Sequence, residues 1–417
     1  MYSYRQRKFL SINSYLGFII LLPSFFGYLN IGLAQMLFIV ICCSYGVLVL
    51  VSNKKYSYPR QLRPVAVLFV CQLICYSLTV TSNSINPFSS FTSKDATDLI
   101  RPIIYLFYFS IPVLLRYKQT RFINIIYVCM SLSLVLDFIK FIPAFYPIIK
   151  LYTHLDPNGL NYARFNGTFT YCYSFGFIVL FLLSYALNAS FRYRSVCIIS
   201  LFIVIFLTGS RSIILGALML IFLRISFFGE SIRKKIGSLI VIGFLILVMY
   251  FVLSNLDIPL VKNILRILER GYDSLTGNAN DPSFNTRNDQ IERAVNNLLR
   301  NPLFGVGPQK ESQDPIENLF GYYISSWGIA GTGCYIFIWL YFLYNAYRCT
   351  SNSNFNIRIF SRANFLWLLM VPFGGMSAPI TEGIRLAPLY YLIQGIQGVM
   401  LYDNSSLKHN FIKKQID

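Results

Sequence analysis

Apolar residues run along this chain in blocks of about 20, each long enough to cross a bilayer. Twelve such blocks can be marked, at 9–29, 33–52, 64–82, 99–115, 123–142, 167–188, 196–209, 212–228, 237–254, 319–345, 363–380 and 388–402. Polar residues gather in the connections, and their sign alternates. With Arg5, Arg7 and Lys8 on the cytoplasmic side, every second connection is cytoplasmic, from "NKKYSYPRQLR" to the tail with Lys408, Lys413 and Lys414, and carries two or more Lys or Arg. That is the positive-inside pattern. The chain is therefore expected to be an all-α polytopic integral membrane protein with about 12 transmembrane helices and both termini cytoplasmic. Residues 1–254 would hold helices 1–9, 255–318 a large external loop, 319–402 helices 10–12, and 403–417 a cytoplasmic tail. The first block lacks a small-residue cleavage site and meets polar Asn13 early, so it reads as an uncleaved helix.

Composition agrees with this class. Of 417 residues 55% are hydrophobic and 13% charged, against about 25% charged in soluble domains. The net charge of +19 sits mostly in the short connections, where it sets topology, so nucleic acid is not an expected partner. Nine cysteines are scattered without the spacing of a metal site or a disulfide framework, and read as small apolar packing residues. The sequence has no Walker loop, no convincing dinucleotide fingerprint and no HExxH, so neither cofactor nor metal is expected. His409 lies in the tail and His154 in an external loop, and neither makes a good catalytic centre.

One connection departs from the short pattern. Residues 255–318 hold nine acidic and seven basic residues, more than half of the chain's carboxylates. Two helices are expected in it. "DIPLVKNILRILERG" places Ile258, Val261, Leu265 and Leu268 on one face, as an interfacial amphipathic helix does. "TRNDQIERAVNNLLRNP" is expected to start at Thr286, with Asp289 closing a capping box and apolar residues at 291, 294, 295, 298 and 299. The Gly/Pro turn "PLFGVGP" follows. Such a loop suits a functional lid or site better than a variable cap.

Polar residues also interrupt the run from Val196 to Phe228, in "IFLTGSRSIILG". A guanidinium in hydrocarbon costs several kcal/mol. Topology moves it to the outer end, where Gly209 turns the chain, Ser210 caps the eighth helix and Arg211 joins a helix N-terminus that favours anions. The same face receives Arg287, Glu317–Asn318, Arg164 in "ARFNGTF", and Arg385 before the twelfth block. Arginine forks match phosphate oxygens, and a carboxylate among them can act as a base. Arg101 is a further intramembrane candidate, with a pair to Asp98 as its structural alternative. The many tyrosines, with Trp327 near the outer mouth, could stack on sugar faces, but suit an interfacial aromatic belt better.

The strings "LTGSRSIILG", "TRNDQIERAVNNLLRNPLFGVGPQ" and "ENLFGYYISSWGIAGTG" resemble, in order, three signatures of the bacterial O-antigen polymerase/ligase superfamily, and "RFNGTFTYCYSFG" resembles its upstream segment. The resemblance covers about residues 160–340 around a large external loop. It implies a glycosyltransferase of the plasma (inner) membrane, multi-pass, that takes an oligosaccharide from undecaprenyl diphosphate at the outer face. Arg211 matches the arginine after Gly-Ser, and Arg287 the arginine of the loop helix. Glu317–Asn318 stands where ligases have His-Asn, a departure that tilts the expectation toward polymerase. The catalytic residues expected are then Glu317, Arg211 and Arg287, with Arg164, Ser210, Asn318, Arg385 and Arg101 binding substrate. The partners implied are an undecaprenyl-diphosphate-linked oligosaccharide, the lipid bilayer and a chain-length regulator protein. An O-antigen ligase acting on lipid A core and a lipid-linked saccharide flippase or transporter are the alternatives.

Overall fold

The computed structural model describes residues 11–25, 27–53, 62–85, 95–117, 120–152, 164–228, 282–308, 316–376 and 378–416. Among them the chain is helical, without strands. The helices are α1 (Ile12–Leu21), α2 (Ile31–Ser52), α3 (Leu62–Ile85), α4 (Ala96–Leu99), α5 (Arg101–Leu114), α6 (Phe122–Ile139), α7 (Tyr146–Lys150), α8 (Cys172–Asn188), α9 (Arg194–Leu207), α10 (Arg211–Phe228), α11 (Pro282–Arg300), α12 (Leu319–Arg348), α13 (Phe355–Leu369), α14 (Val371–Gly375) and α15 (Leu386–Ile416). Among the described residues five helices are long and apolar enough to cross a membrane, in α2, α3, α6, α10 and α12, and five more are apolar but shorter.

Helix α8 is apolar around its whole circumference, and Phe175 to Ser184 are all buried. Such a helix belongs inside a bundle. Here α9, α10 and α13 pack around it. Trp367 Nε1 on α13 donates to the Phe177 carbonyl at 2.7 Å, and Ser184 Oγ donates to the Ala363 carbonyl at 2.8 Å. Helix α5 packs closely on α15, where a Cβ at Gly395 would stand 2.3 Å from the Phe109 carbonyl oxygen. Small residues of this kind let membrane helices approach, and interhelical amides add to the hold. Asn364 of α13 and Gln394 of α15 exchange two hydrogen bonds of 3.0 Å. Outward, α2 and α3 present Val40, Val47, Leu48, Val67 and Val70. An apolar exterior over a polar-pinned interior is the arrangement a bilayer requires.

Most of the expected blocks coincide with helices, and the departures have local causes. The block at 363–380 is not one span: α13 ends at Leu369, and Pro372 near the start of α14 cannot continue the ladder. The sixth helix starts at Cys172 rather than 167, because residues 164–171 form a loop pinned by buried polar groups. Helix α11 starts at Pro282, four residues before Thr286, so Asp289 lies inside it and closes no capping box. The stretch from 403 continues α15 as helix to Ile416. The ninth block at 237–254, the amphipathic helix expected over Asp257–Gly271, and His154 lie outside the described residues.

Helix α11 buries only part of its apolar stripe. Its apolar Ile291, Val295 and Leu299 are exposed, and it docks on α12 through Gln290, Ala294 and Asn297. Asn297 Nδ2 donates to Ser325 Oγ at 2.8 Å. Polar contacts on α12, rather than the apolar stripe, decided which face it buries.

Candidate functional site

The site grows from a loop that the hydrophobic pattern hides. Asp137 on α6 accepts from the Asn166 and Gly167 amides at 3.0 and 2.7 Å. Lys140, one turn on, pairs with Asp137 at 3.0 Å and donates to the Arg164 carbonyl at 2.6 Å. This pair satisfies the backbone of Arg164–Gly167, and so allows irregular chain to enter an otherwise apolar bundle. Sequence reasoning overlooked both residues. Their signal was an acid and a base three apart inside an apolar block, which is costly without a purpose.

The same loop meets the Gly-Ser-Arg turn between α9 and α10. The Phe165 amide donates to the Leu207 carbonyl at 3.1 Å. Gly209 holds φ at +60°, and a Cβ there would stand 3.4 Å from Arg164 Cγ, so the Arg164 side chain lies across the turn. Thr208 Oγ1 donates to the Ile205 carbonyl at 2.6 Å and accepts from the Ser210 amide at 3.3 Å. Ser210 caps α10 through its carbonyl, which accepts from Ile213 and Ile214, and its hydroxyl lies 3.1 Å from that of Ser212. Ser210 thus builds the turn that presents Arg211. Arg164 Nε is buried and pairs with nothing among the described residues, a donor that an anion would satisfy.

On the other side stands Glu317. Its amide donates to Gln290 Oε1 of α11 at 3.1 Å. Asn318 follows as the N-cap of α12, its side-chain oxygen accepting from the Phe320 and Gly321 amides at 3.0 Å. Asn318 is thus a helix cap through its side-chain oxygen, and the cap fixes where Glu317 stands. Glu317 reaches solvent yet lies among enough neighbouring atoms to be partly desolvated. Burial pushes its carboxyl above the usual glutamate range, against the pull of the Arg287 guanidinium.

The start of α8 joins the two sides. Cys172 interacts with Arg164. Tyr171, just before it, lies within electrostatic reach of Glu317, and Tyr173 within reach of both Glu317 and Arg287. Arg164, the turn of Arg211, Arg287 and Glu317 therefore gather at one end of the bundle.

Arg385 and Arg101 go elsewhere. Arg385 is 3% exposed and donates to the Ile20 and Leu22 carbonyls at 2.5 and 2.7 Å, with the rings of Phe38, Phe169 and Tyr152 around it. It closes the C-terminus of α1, and the expectation that it binds substrate is corrected by this caging. Arg101 pairs with Asp98 at 2.9 Å, its structural alternative, and with Glu382 at 2.7 Å. Tyr105 and Tyr323 both donate to Glu382, and Tyr322 donates to Asp98 at 2.9 Å. Glu382 drew no attention in the sequence, since a single carboxylate in "APITEGIR" has no spacing to mark it.

Behind Glu317, helix α12 breaks at Gly328, where φ is +61° and ψ −163°. The Val306 and Gly307 amides donate to the Ser325 and Ser326 carbonyls at 2.9 and 3.0 Å. The Ile329 and Ala330 amides donate to the Pro302 and Leu303 carbonyls at 2.9 and 3.1 Å. The "PLFGVGP" segment thus supplies the partners that the broken helix lost. Two of the strings that resemble a family in sequence are one physical joint.

Fold and site together define a membrane-embedded helical protein with an arginine-lined, carboxylate-bearing site at one end. Residues 196–347 match the sequence model of a family described as O-antigen ligase. The segment is similar to that family, and the match takes in Arg211, Arg287, Glu317 and Gly328. It supports O-antigen ligase/polymerase-type activity, on a lipid-linked saccharide in a membrane. No curated protein matches the chain closely enough to count as a relative.

Proposed function

We propose that this chain is a polysaccharide polymerase of the bacterial inner membrane, with both termini cytoplasmic. It would move an oligosaccharide from undecaprenyl diphosphate to the non-reducing end of another lipid-linked repeat unit at the outer face. The observation that carries this reading is the gathering of Arg164, Arg287 and the Arg211 turn around Glu317. Cleaving the anomeric C–O bond leaves charge on the diphosphate. Guanidinium groups already in place stabilise that charge as it develops, without a metal. Glu317 takes the proton of the attacking sugar hydroxyl, and a single displacement inverts the anomeric centre. A chain-length regulator would act on the growing product from outside this site.

The test uses full-length protein in lipid with an undecaprenyl-diphosphate-linked repeat unit, with and without EDTA, read as a gel ladder. A ladder that survives EDTA and disappears in Glu317→Gln is the expected result. A ladder made by Glu317→Gln at the wild-type rate removes Glu317 from the chemistry. The family description itself favours one second reading, a ligase. Transfer only when lipid A core is supplied would establish it.

A further inference from the structure

Tyr171 and Tyr173 flank the residue that touches Arg164, yet the reaction as described uses neither. Their rings stack with centroids 5.0 Å apart and planes 11° from parallel. Tyr171 is 56% exposed, while Tyr173 is half-buried behind it. One face of Tyr171 is thus backed by a second ring and the other is open. A tyrosine of an aromatic belt has lipid or headgroup around it. This pair instead flanks Cys172, which touches Arg164, and lies within electrostatic reach of Glu317, with Tyr173 also within reach of Arg287. Its position is also fixed. Tyr171 is the extended residue that precedes α8, its carbonyl accepting from the Phe175 amide at 3.2 Å, and the loop before it is held by Asp137 and Lys140.

A flat, rigid, backed ring next to a carboxylate suits one ligand chemistry. A pyranose offers a face of polarised C–H groups to the electron-rich ring, and hydroxyls at its rim to acceptors alongside. We propose that the Tyr171–Tyr173 pair is a sugar-binding platform for the ring whose hydroxyl attacks, with Glu317 at its edge. The assignment to the attacking sugar rests on the polymerase reading, because it takes Glu317 as the base. The platform adds a specificity element to a site otherwise made of charges, which recognise any diphosphate.

The test is a binding measurement that needs no turnover. Oligosaccharides released by partial acid hydrolysis of the surface polysaccharide of cells carrying this chain are titrated against the full-length protein in nanodiscs. Binding is read by saturation transfer from protein to sugar protons. Wild type is expected to saturate the C–H protons of one ring. Tyr171→Phe keeps the face and binds within about twofold, whereas Tyr171→Ala weakens binding by about tenfold. Wild-type binding that Tyr171→Ala leaves unchanged, equal losses in both variants, or no binding by folded wild type would each overturn the platform. The ladder assay stands apart from this. A Tyr171-dependent sugar signal without a ladder keeps the platform and sinks the polymerase reading. A ladder whose dependence on acceptor concentration is the same in wild type and Tyr171→Ala does the reverse.

Discussion

At the scale of single residues, the reaction depends on what surrounds Glu317. A base works in its ionised form, so transfer should fall as pH drops through the Glu317 pKa. Burial holds that carboxyl above its usual range, so the acid limb of the pH–rate profile should lie above the ~4.3 of a free glutamate. Arg287 pulls in the opposite direction. Replacing it with Gln removes a favourable charge for the ionised form, so the limb should move to still higher pH as the rate falls. A limb that stays in place would show that another group titrates. Of the eight residues expected at the site, Arg164, Arg211, Arg287 and Glu317 could be placed on one face by topology, and they gather. Arg101 and Arg385 belong to the same end by the same argument, but the tertiary structure spends them on Asp98, Glu382 and the carbonyls of α1. Topology gives depth in the membrane and says nothing of lateral position.

At the scale of elements, the outer half of α12 is the part that presents Glu317, and two devices hold it. The first is the joint at Gly328. A Cβ there would meet the Gly305 amide nitrogen at 2.5 Å and the Leu303 carbonyl carbon at 2.6 Å, all backbone. Gly328→Ala should therefore cost at least ~3 kcal/mol, from overpacking and from a φ that alanine disfavours. Gly305→Ala should cost a similar amount, since its Cβ would meet Gly328 in return. Thermal unfolding in detergent checks both, and a shift of a degree or less would show that the joint yields. The second device is the cluster on Glu382, which ties Tyr323 of α12 to Tyr105 and Arg101 of α5. Glu382→Ala strands two buried hydroxyls and one guanidinium nitrogen, a loss of about 3 kcal/mol. Glu382→Gln keeps an acceptor and should lose less in the same melt. Equal melting of the two variants would deny the cluster its role.

At the scale of the whole molecule, sidedness is the prediction with the widest reach. Single cysteines at 164, 211, 287 and 317, in a background without exposed thiols, should label with a membrane-impermeant reagent only from outside the cell. Labelling from both sides would bring back the transporter alternative, in which a central site opens to each face in turn.

Much of the fold was legible because its governing rule is one-dimensional. A bilayer demands long apolar helices, and their ends appear in the sequence as charge and turn residues. The α9–turn–α10 unit is the clearest case, with Gly209 and Ser210 standing where the chain must reverse. Where that rule weakens, the sequence misleads. The sixth block takes in residues 167–171, and contacts from Asp137 and Lys140, some 25 residues earlier, hold the stretch before Cys172 as a loop instead. Helix α11 leaves Ile291, Val295 and Leu299 of its apolar stripe exposed and buries Ala294 with Gln290 and Asn297, which find partners at the Glu317 amide and on α12. The sequence alone determined the class and the charges on offer, since local hydropathy and residue type decide these. The tertiary structure alone decided which charges share a site, which arginines serve packing, and that "PLFGVGP" completes a broken helix. Those outcomes depend on hydrogen-bond partners brought together from distant parts of the chain, and no local pattern records them.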